Sequence, residues 1–273
     1  MPFTLDSIAN LDAVMQRRAL AANTASARYT CQRAMPYGPD PDHTLDFYPA
    51  AGGASSAPLL MFIHGGFWRS LRAADFSFLA AGFVDQGISV AVIDYPLIPR
   101  VRMEQVVQAC RLAVQYLHTR AADLGLDADR LVVAGNSAGG HLVAELMDTG
   151  WMASLGLPER CLRAGVAVSG LYDLEPVARS FQNDSLQLSP QEIARYSPLM
   201  RPLALRAPLV VAVGALETDE FLRQSAQFAA HAGRCGAVVQ HLQVPQTHHI
   251  SVVLDALASP GHALNRAACD LFA

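Results

Sequence analysis

The stretch Leu131-Val132-Val133-Ala134-Gly135-Asn136-Ser137-Ala138-Gly139-Gly140-His141 decides the fold. Its four leading apolar residues read as a buried strand. Gly135-Asn136-Ser137-Ala138-Gly139 reads as a G-x-S-x-G elbow, a sharp strand-to-helix turn that lifts a serine hydroxyl above the edge of a sheet. Glycines flank the serine because a Cβ at either place would crowd so tight a turn. The helix predicted from about Ser137 onward starts with backbone N–H groups that have no partner inside the helix, and that of Ala138 can face a developing oxyanion. A serine nucleophile on an α/β scaffold is the expectation that the rest of the chain has to meet.

Working outward from the elbow, the apolar run Pro58 to Ile63 predicts a strand buried on both faces that delivers His64-Gly65-Gly66-Phe67-Trp68 at its carboxyl end. Ile88 to Ile93 predicts a second buried strand, and the spacing of Val106, Val107, Cys110, Ala113, Val114 and Leu117 predicts a long helix over Val101 to Leu124. Asp75 to Asp85 and Asp219 to Ala232 read as helices, and Ala164 to Val168, Pro208 to Val213 and Ala237 to Val244 as further strands. Tyr29 to Ala34 and Thr44 to Tyr48 suggest an antiparallel ribbon at the sheet edge, and Gly52 to Ala57 a short connection. Closing helices are expected between Ile250 and Phe272. Strands alternating with helices imply a mostly parallel central sheet with helices on both faces. Two segments fall outside this rhythm: residues 1–28, a helical lead that packs on the body or overhangs a pocket, and residues 171–206, a Pro-, Ser- and Gln-rich insertion expected to form a small lid. Residues 1–273 are expected to form a single domain.

Composition narrows the functional classes. Hydrophobic residues make up 52% and charged residues only 16%, which argues for a packed core and against disorder. A net charge of −4, spread along the chain, gives no basis for nucleic-acid binding or capture by an acidic membrane. No leader-like segment or membrane-spanning run is evident, and the five scattered cysteines lack C-x-x-C spacing, so reduced thiols and a cytoplasmic location are expected. The oligomeric state is not legible. The histidines show no metal-ligand spacing, so no metal is expected. The elbow lacks both the Lys-Ser/Thr ending of a P-loop and G-x-G-x-x-G spacing, so no nucleotide cofactor is expected either.

A serine hydroxyl needs a histidine base, and the base needs an acid to fix its tautomer. In this type of fold both follow the nucleophile on loops after later strands. Glu217 lies nearest the end of the Pro208 to Val213 strand and is the preferred acid. Asp219 is the alternative, and it and Glu220 stand where they would favour the start of the next helix. His249 is the preferred base and His248 points elsewhere. Gly65 and Gly66, with Ala138, would offer oxyanion N–H groups, while His64 shapes their loop. Phe67, Trp68 and Tyr172, and after them Tyr196, are candidates for an aromatic pocket wall.

His64-Gly65-Gly66-Phe67-Trp68-Arg69-Ser70, the elbow, Ser169-Gly170-Leu171-Tyr172-Asp173-Leu174-Glu175-Pro176 and Glu220-Phe221-Leu222-Arg223-Gln224-Ser225 together resemble kynurenine formamidases, a branch of the α/β-hydrolases near the hormone-sensitive lipase group. The resemblance runs from about Tyr37 to the C-terminus. It implies Ser137 as nucleophile, His249 as base, the acid at the position of Glu217, and hydrolysis of an aryl formamide such as N-formylkynurenine without a cofactor. The family commonly has Asp at the acid position and often His where Asn136 stands. A general carboxylesterase for short acyl groups uses the same machinery and is the alternative. A non-catalytic protein that kept the fold is a third reading, which the presence of all the triad residues disfavours.

Overall fold

The computed structural model describes residues 3–6, 8–53 and 55–273. Residues 1, 2 and 7 of the expected N-terminal lead, and Ala54 of the expected connection, lie outside the described residues. Eight strands form one sheet: β1 (Gln32–Pro36), β2 (Thr44–Tyr48), β3 (Ala57–Ile63), β4 (Ser89–Ile93), β5 (Leu126–Asn136), β6 (Ala164–Val168), β7 (Leu209–Gly214) and β8 (Val239–Val244). Their spatial order is β1-β2-β4-β3-β5-β6-β7-β8. β1 and β2 are the antiparallel ribbon, β2 runs antiparallel to β4, and the remaining pairs are parallel.

Strand β3 shows why the sequence reads as a continuous apolar run. Leu59, Met61 and Ile63 enter one hydrophobic core, and Leu60 and Phe62 enter the other. Each strand residue alternates between faces, and here both faces are covered. The first core packs α3 (Met103–Thr119), α4 (Ala138–Met147) and α8 (Asp219–Arg234) onto the sheet. On the other face lie α1 (Leu11–Arg28), the residues around α2 (Ala80–Phe83), a π-helical turn over Val252–Leu257, and α9 (Ala263–Cys269).

The fold is that of an α/β-hydrolase, and the departures from expectation are local. The helix predicted over Asp75 to Asp85 is mainly 3₁₀ (Ala73–Leu79 and Val84–Gln86) around the single turn of α2. Phe76, Ser77, Phe78 and Leu79 in this stretch are all buried. α3 stops at Thr119, and the chain re-enters the sheet through Gly125 at φ 68°. The expected closing helices include the π-helical turn. Residues 171–206 carry three short helices, α5 (Glu175–Ala178), α6 (Asn183–Leu186) and α7 (Pro190–Arg195).

From β3 the chain steps to β4 on one side, and it later returns to place β5 on the other. Such a reversal of strand order leaves a crevice at the carboxyl ends of the two strands, where open α/β sheets bind ligands. The loop after β3 and the turn after β5 meet there.

Candidate active site

The turn after β5 is closed to within contact distance. A Cβ on Gly139 would lie 1.9 Å from the Ile63 carbonyl oxygen, and one on Gly135 would lie 2.4 Å from the Gly139 oxygen. Both obstacles are backbone, so no side chain fits at either place. Ser137 between them adopts φ 59° and ψ −118°, a conformation that costs a non-glycine residue on the order of 1–3 kcal/mol. Its N–H donates to the Val168 carbonyl at 2.9 Å, which ties the turn to β6. Ala138 opens α4, so its N–H lacks an intrahelical acceptor.

The loop after β3 runs against this turn. The Gly65 Cα approaches so closely that a Cβ would stand 3.1 Å from that of Ser137, and Gly66 at φ 102° has no space for a side chain beside Ser70. Among the described residues, neither Gly65 nor Gly66 donates its N–H to a protein acceptor. His64 supports the loop: its Nδ1 lies 2.7 Å from the Gly65 oxygen, its ring stacks on Tyr95 at 4.3 Å, and its Nε2 is 3.6 Å from Asp94 Oδ1. The Tyr95 hydroxyl donates to the His64 carbonyl at 2.9 Å. Burial alone would push the Asp94 carboxyl up, but His64 and the N–H of Ala73 outweigh it and hold it below its ordinary range.

Glu217 follows β7 and His249 follows β8. His249 Nδ1 lies 2.6 Å from Glu217 Oε2. A neutral imidazole that donates from Nδ1 keeps Nε2 as an acceptor. The other carboxylate oxygen, Oε1, accepts from Ser169 Oγ at 2.5 Å and from the N–H of Gly214 at 2.8 Å. Asp219 is exposed at the first position of α8. His248 turns aside, where its Nδ1 accepts from the N–H groups of Ile250 and Ser251 at 3.3 Å, and burial pushes its pKa down.

Ser137 and His249 line one cavity of about 380 Å³, with Gly65, Gly66, Phe67 and Asn136. Its wall is largely apolar: Phe3, Leu5 and Met15 from the N-terminal lead, Phe76 and Phe78 from the 3₁₀ stretch, Phe181 from the β6–β7 connection and Phe221 from α8. Phe221 also packs against the His249 ring, with centroids 4.4 Å apart.

Three residues expected in the wall are elsewhere. Trp68 is fully buried in the core, edge-on to His141 at 5.0 Å. Phe67 and Trp68 both have positive φ, 50° and 56°, and this turn sends Phe67 to the cavity and Trp68 inward. Tyr172 is also fully buried, stacked on Phe228 at 3.9 Å. Tyr196 lies outside the cavity lining, and its carbonyl faces His141 Nε2 at 2.8 Å. Sequence reasoning missed Ser169 and the cavity residues Phe3, Phe76, Phe78, Phe181 and Arg18. Ser169 opens one of the stretches that carry the resemblance, but its contact with Glu217 follows from the adjacency of β6 and β7 in the sheet.

Two of the stretches that carried the resemblance meet in space. Gln224 Oε1 accepts from the N–H groups of Tyr172 and Asp173 at 2.6 and 2.9 Å, and its Nε2 donates to Glu220 at 2.9 Å. They form a brace behind the site. A kynurenine formamidase from Salmo salar is 30% identical over 248 residues, covering 86% of this chain and 81% of its own. The chain belongs to the kynurenine formamidase family. The kynurenine formamidase of Danio rerio is 29% identical, covering 86% of this chain and 80% of its own. A family model described as BD-FAE matches residues 45–153. Among solved structures, a Silicibacter protein designated a candidate thioesterase superposes with a TM-score of 0.81 at 29% identity, covering 95% of this chain and 94% of the other. Among the described residues of this kynurenine formamidase relative, no cluster of His, Cys, Asp or Glu is arranged to hold a metal ion, and no helix is long and apolar enough to cross a membrane.

Proposed function

We propose that this chain hydrolyses an aryl formamide of the N-formylkynurenine type through a formyl-enzyme on Ser137. The observation that carries the reading is the 2.6 Å contact between His249 and Glu217 beside a cavity that Ser137 also lines. Ser137 Oγ attacks the formyl carbon while His249 Nε2 takes its proton. The N–H groups of Gly65, Gly66 and Ala138 hold the oxygen that becomes negative. Collapse breaks the C–N bond, and His249 returns the proton to the departing aryl amine. A water molecule, deprotonated by the same imidazole, attacks the formyl ester and releases formate. Glu217 keeps the imidazole in its Nδ1–H tautomer and stabilises its charged form, without taking the proton itself. No cofactor enters this cycle.

The aromatic cavity supports an aryl leaving group, and residues 171–206 contribute Phe181 and Gln182 as one wall of it. The chain acts as one domain in this reading, with the described residues of the N-terminal lead as the roof and 171–206 as a small cap. A cytoplasmic setting is supported by five cysteines that are all free.

A second reading, hydrolysis of short acyl esters or thioesters, draws support from the likeness to the Silicibacter protein. Measured side by side, kcat/KM for N-formylkynurenine and for p-nitrophenyl acetate separates the two, with Ser137→Ala as control. Preference for the formamide, lost by several orders of magnitude in the variant, is expected. Fast ester cleavage with negligible formamide turnover would replace the first reading with the second.

A further inference from the structure

Arg18 is the one Arg or Lys among the described residues lining the cavity. It sits on α1, half-buried, with its guanidinium 5.7 Å above the ring of Phe76. Two other arginines of the same helix have carboxylate partners, Arg17 on Asp255 and Arg28 on Asp85, each at 2.7 Å. Arg18 has none: among the described residues no carboxylate comes within ion-pair distance of it, and no hydrogen bond satisfies its N–H groups. The charge of Asp75 acts on it without a contact, and the Asp75 Oδ2 is engaged by the N–H of Arg72 at 2.9 Å.

A guanidinium is rarely left half-buried and unpaired, because removal from water is costly unless an anion repays it. The surrounding wall is largely apolar, and burial lowers the pKa of Arg18. A cation held over an aromatic face in such a wall is oriented and poorly hydrated, which suits a planar, two-oxygen anion.

We propose that Arg18 binds a carboxylate on the leaving-group side of the substrate, so that the site selects aromatic substrates bearing an acid group remote from the bond that is cleaved. The proposal rests on the acyl-transfer reading above and narrows its substrate class. N-formylkynurenine meets it, having an α-carboxylate at the end opposite the formyl group. Because Arg18 contacts an atom that does not react, its contribution falls on binding, in KM more than in kcat.

The test uses two matched comparisons. N-formylkynurenine is set against 2-formamidoacetophenone, which lacks the amino-acid end, and 3- and 4-acetoxybenzoate are set against phenyl acetate. The readout is the ratio of kcat/KM, charged over neutral, in the wild type, Arg18→Gln and Arg18→Lys. The wild-type ratio is expected to exceed one, to fall about tenfold or more in Arg18→Gln through KM, and to recover in part in Arg18→Lys. Equal ratios in the wild type and Arg18→Gln would overturn the proposal. Should Arg18→Gln fail to fold, a wild-type ratio at or below one for both comparisons overturns it as well. If the formamides are not cleaved but the esters are, the formamidase reading fails while the ester comparison still decides the role of Arg18.

Discussion

Glu217 is one methylene longer than the aspartate common at its position, and its surroundings use the extra reach. Gly214 N–H and Ser169 Oγ both hold Oε1, which leaves Oε2 to face His249. A carboxylate fixed by two donors on one oxygen cannot swing away from the imidazole. Glu217→Gln keeps the shape but presents the wrong group to Nδ1, and kcat is expected to fall by about 10³–10⁴, whereas Asp219→Asn should stay within about twofold. Steady-state kinetics on the two variants checks this directly, and comparable losses would move the acid to Asp219. Ser169→Ala frees one side of Oε1, so its pH–rate profile should shift and Ser169→Thr should restore it. The sequence pointed to Glu217 through its distance from the strand end. It could not reveal Ser169, which sits 48 positions earlier and reaches the acid only because β6 and β7 are neighbours.

At the scale of elements, the β6–β7 connection is pinned rather than loose. Arg69, in the loop after β3, donates to Gln182 and Ser185; Arg102, ahead of α3, donates to the Leu186 and Gln187 carbonyls and pairs with Glu192. Arg201 reaches back to α4, where it pairs with Glu145 at 2.7 Å and Asp148 at 2.5 Å. Glu145 is buried, and burial pushes its carboxyl up despite Arg201. Arg201→Met strands that carboxylate, and a loss of about 3–5 kcal/mol in urea unfolding is expected. An unchanged midpoint would show that the pair contributes little. The irregular composition of residues 171–206 was readable as a break in the α/β rhythm. Its anchors were not, since each arginine lies far from its partners in the chain. The same limit explains Trp68: strand-like alternation cannot foresee two successive non-glycine residues with positive φ.

For the molecule as a whole, pH dependence should carry the mark of one imidazole. His141 is fully buried, its Nε2 lies 2.8 Å from the Tyr196 carbonyl, and its Nδ1 has no partner among the described residues. A proton on Nδ1 would create a charge with nothing to receive it, and burial pushes the pKa from 6.5 down to about 4. Between these values the unfolded chain takes up a proton that the folded one refuses, so stability falls as pH drops. The contribution is fully present above about 6.5 and lost as pH falls through about 4. Glu145 titrates in the opposite sense, so the informative quantity is the difference between variants. His141→Gln should flatten the decline in urea midpoint between pH 6.5 and pH 4 relative to the wild type. Parallel declines would assign the acid sensitivity to other groups. The alternating strands and helices made the overall architecture readable from sequence, because local periodicity specifies both covered faces of the sheet.

Trp68 sits one residue beyond Phe67 and three beyond Gly65, yet its ring is locked in the central core beside His141. The loop after β3 therefore has no melting transition separate from that of the protein. Heating should leave turnover intact until the core gives way, and then abolish it in the same narrow interval in which near-ultraviolet circular dichroism is lost.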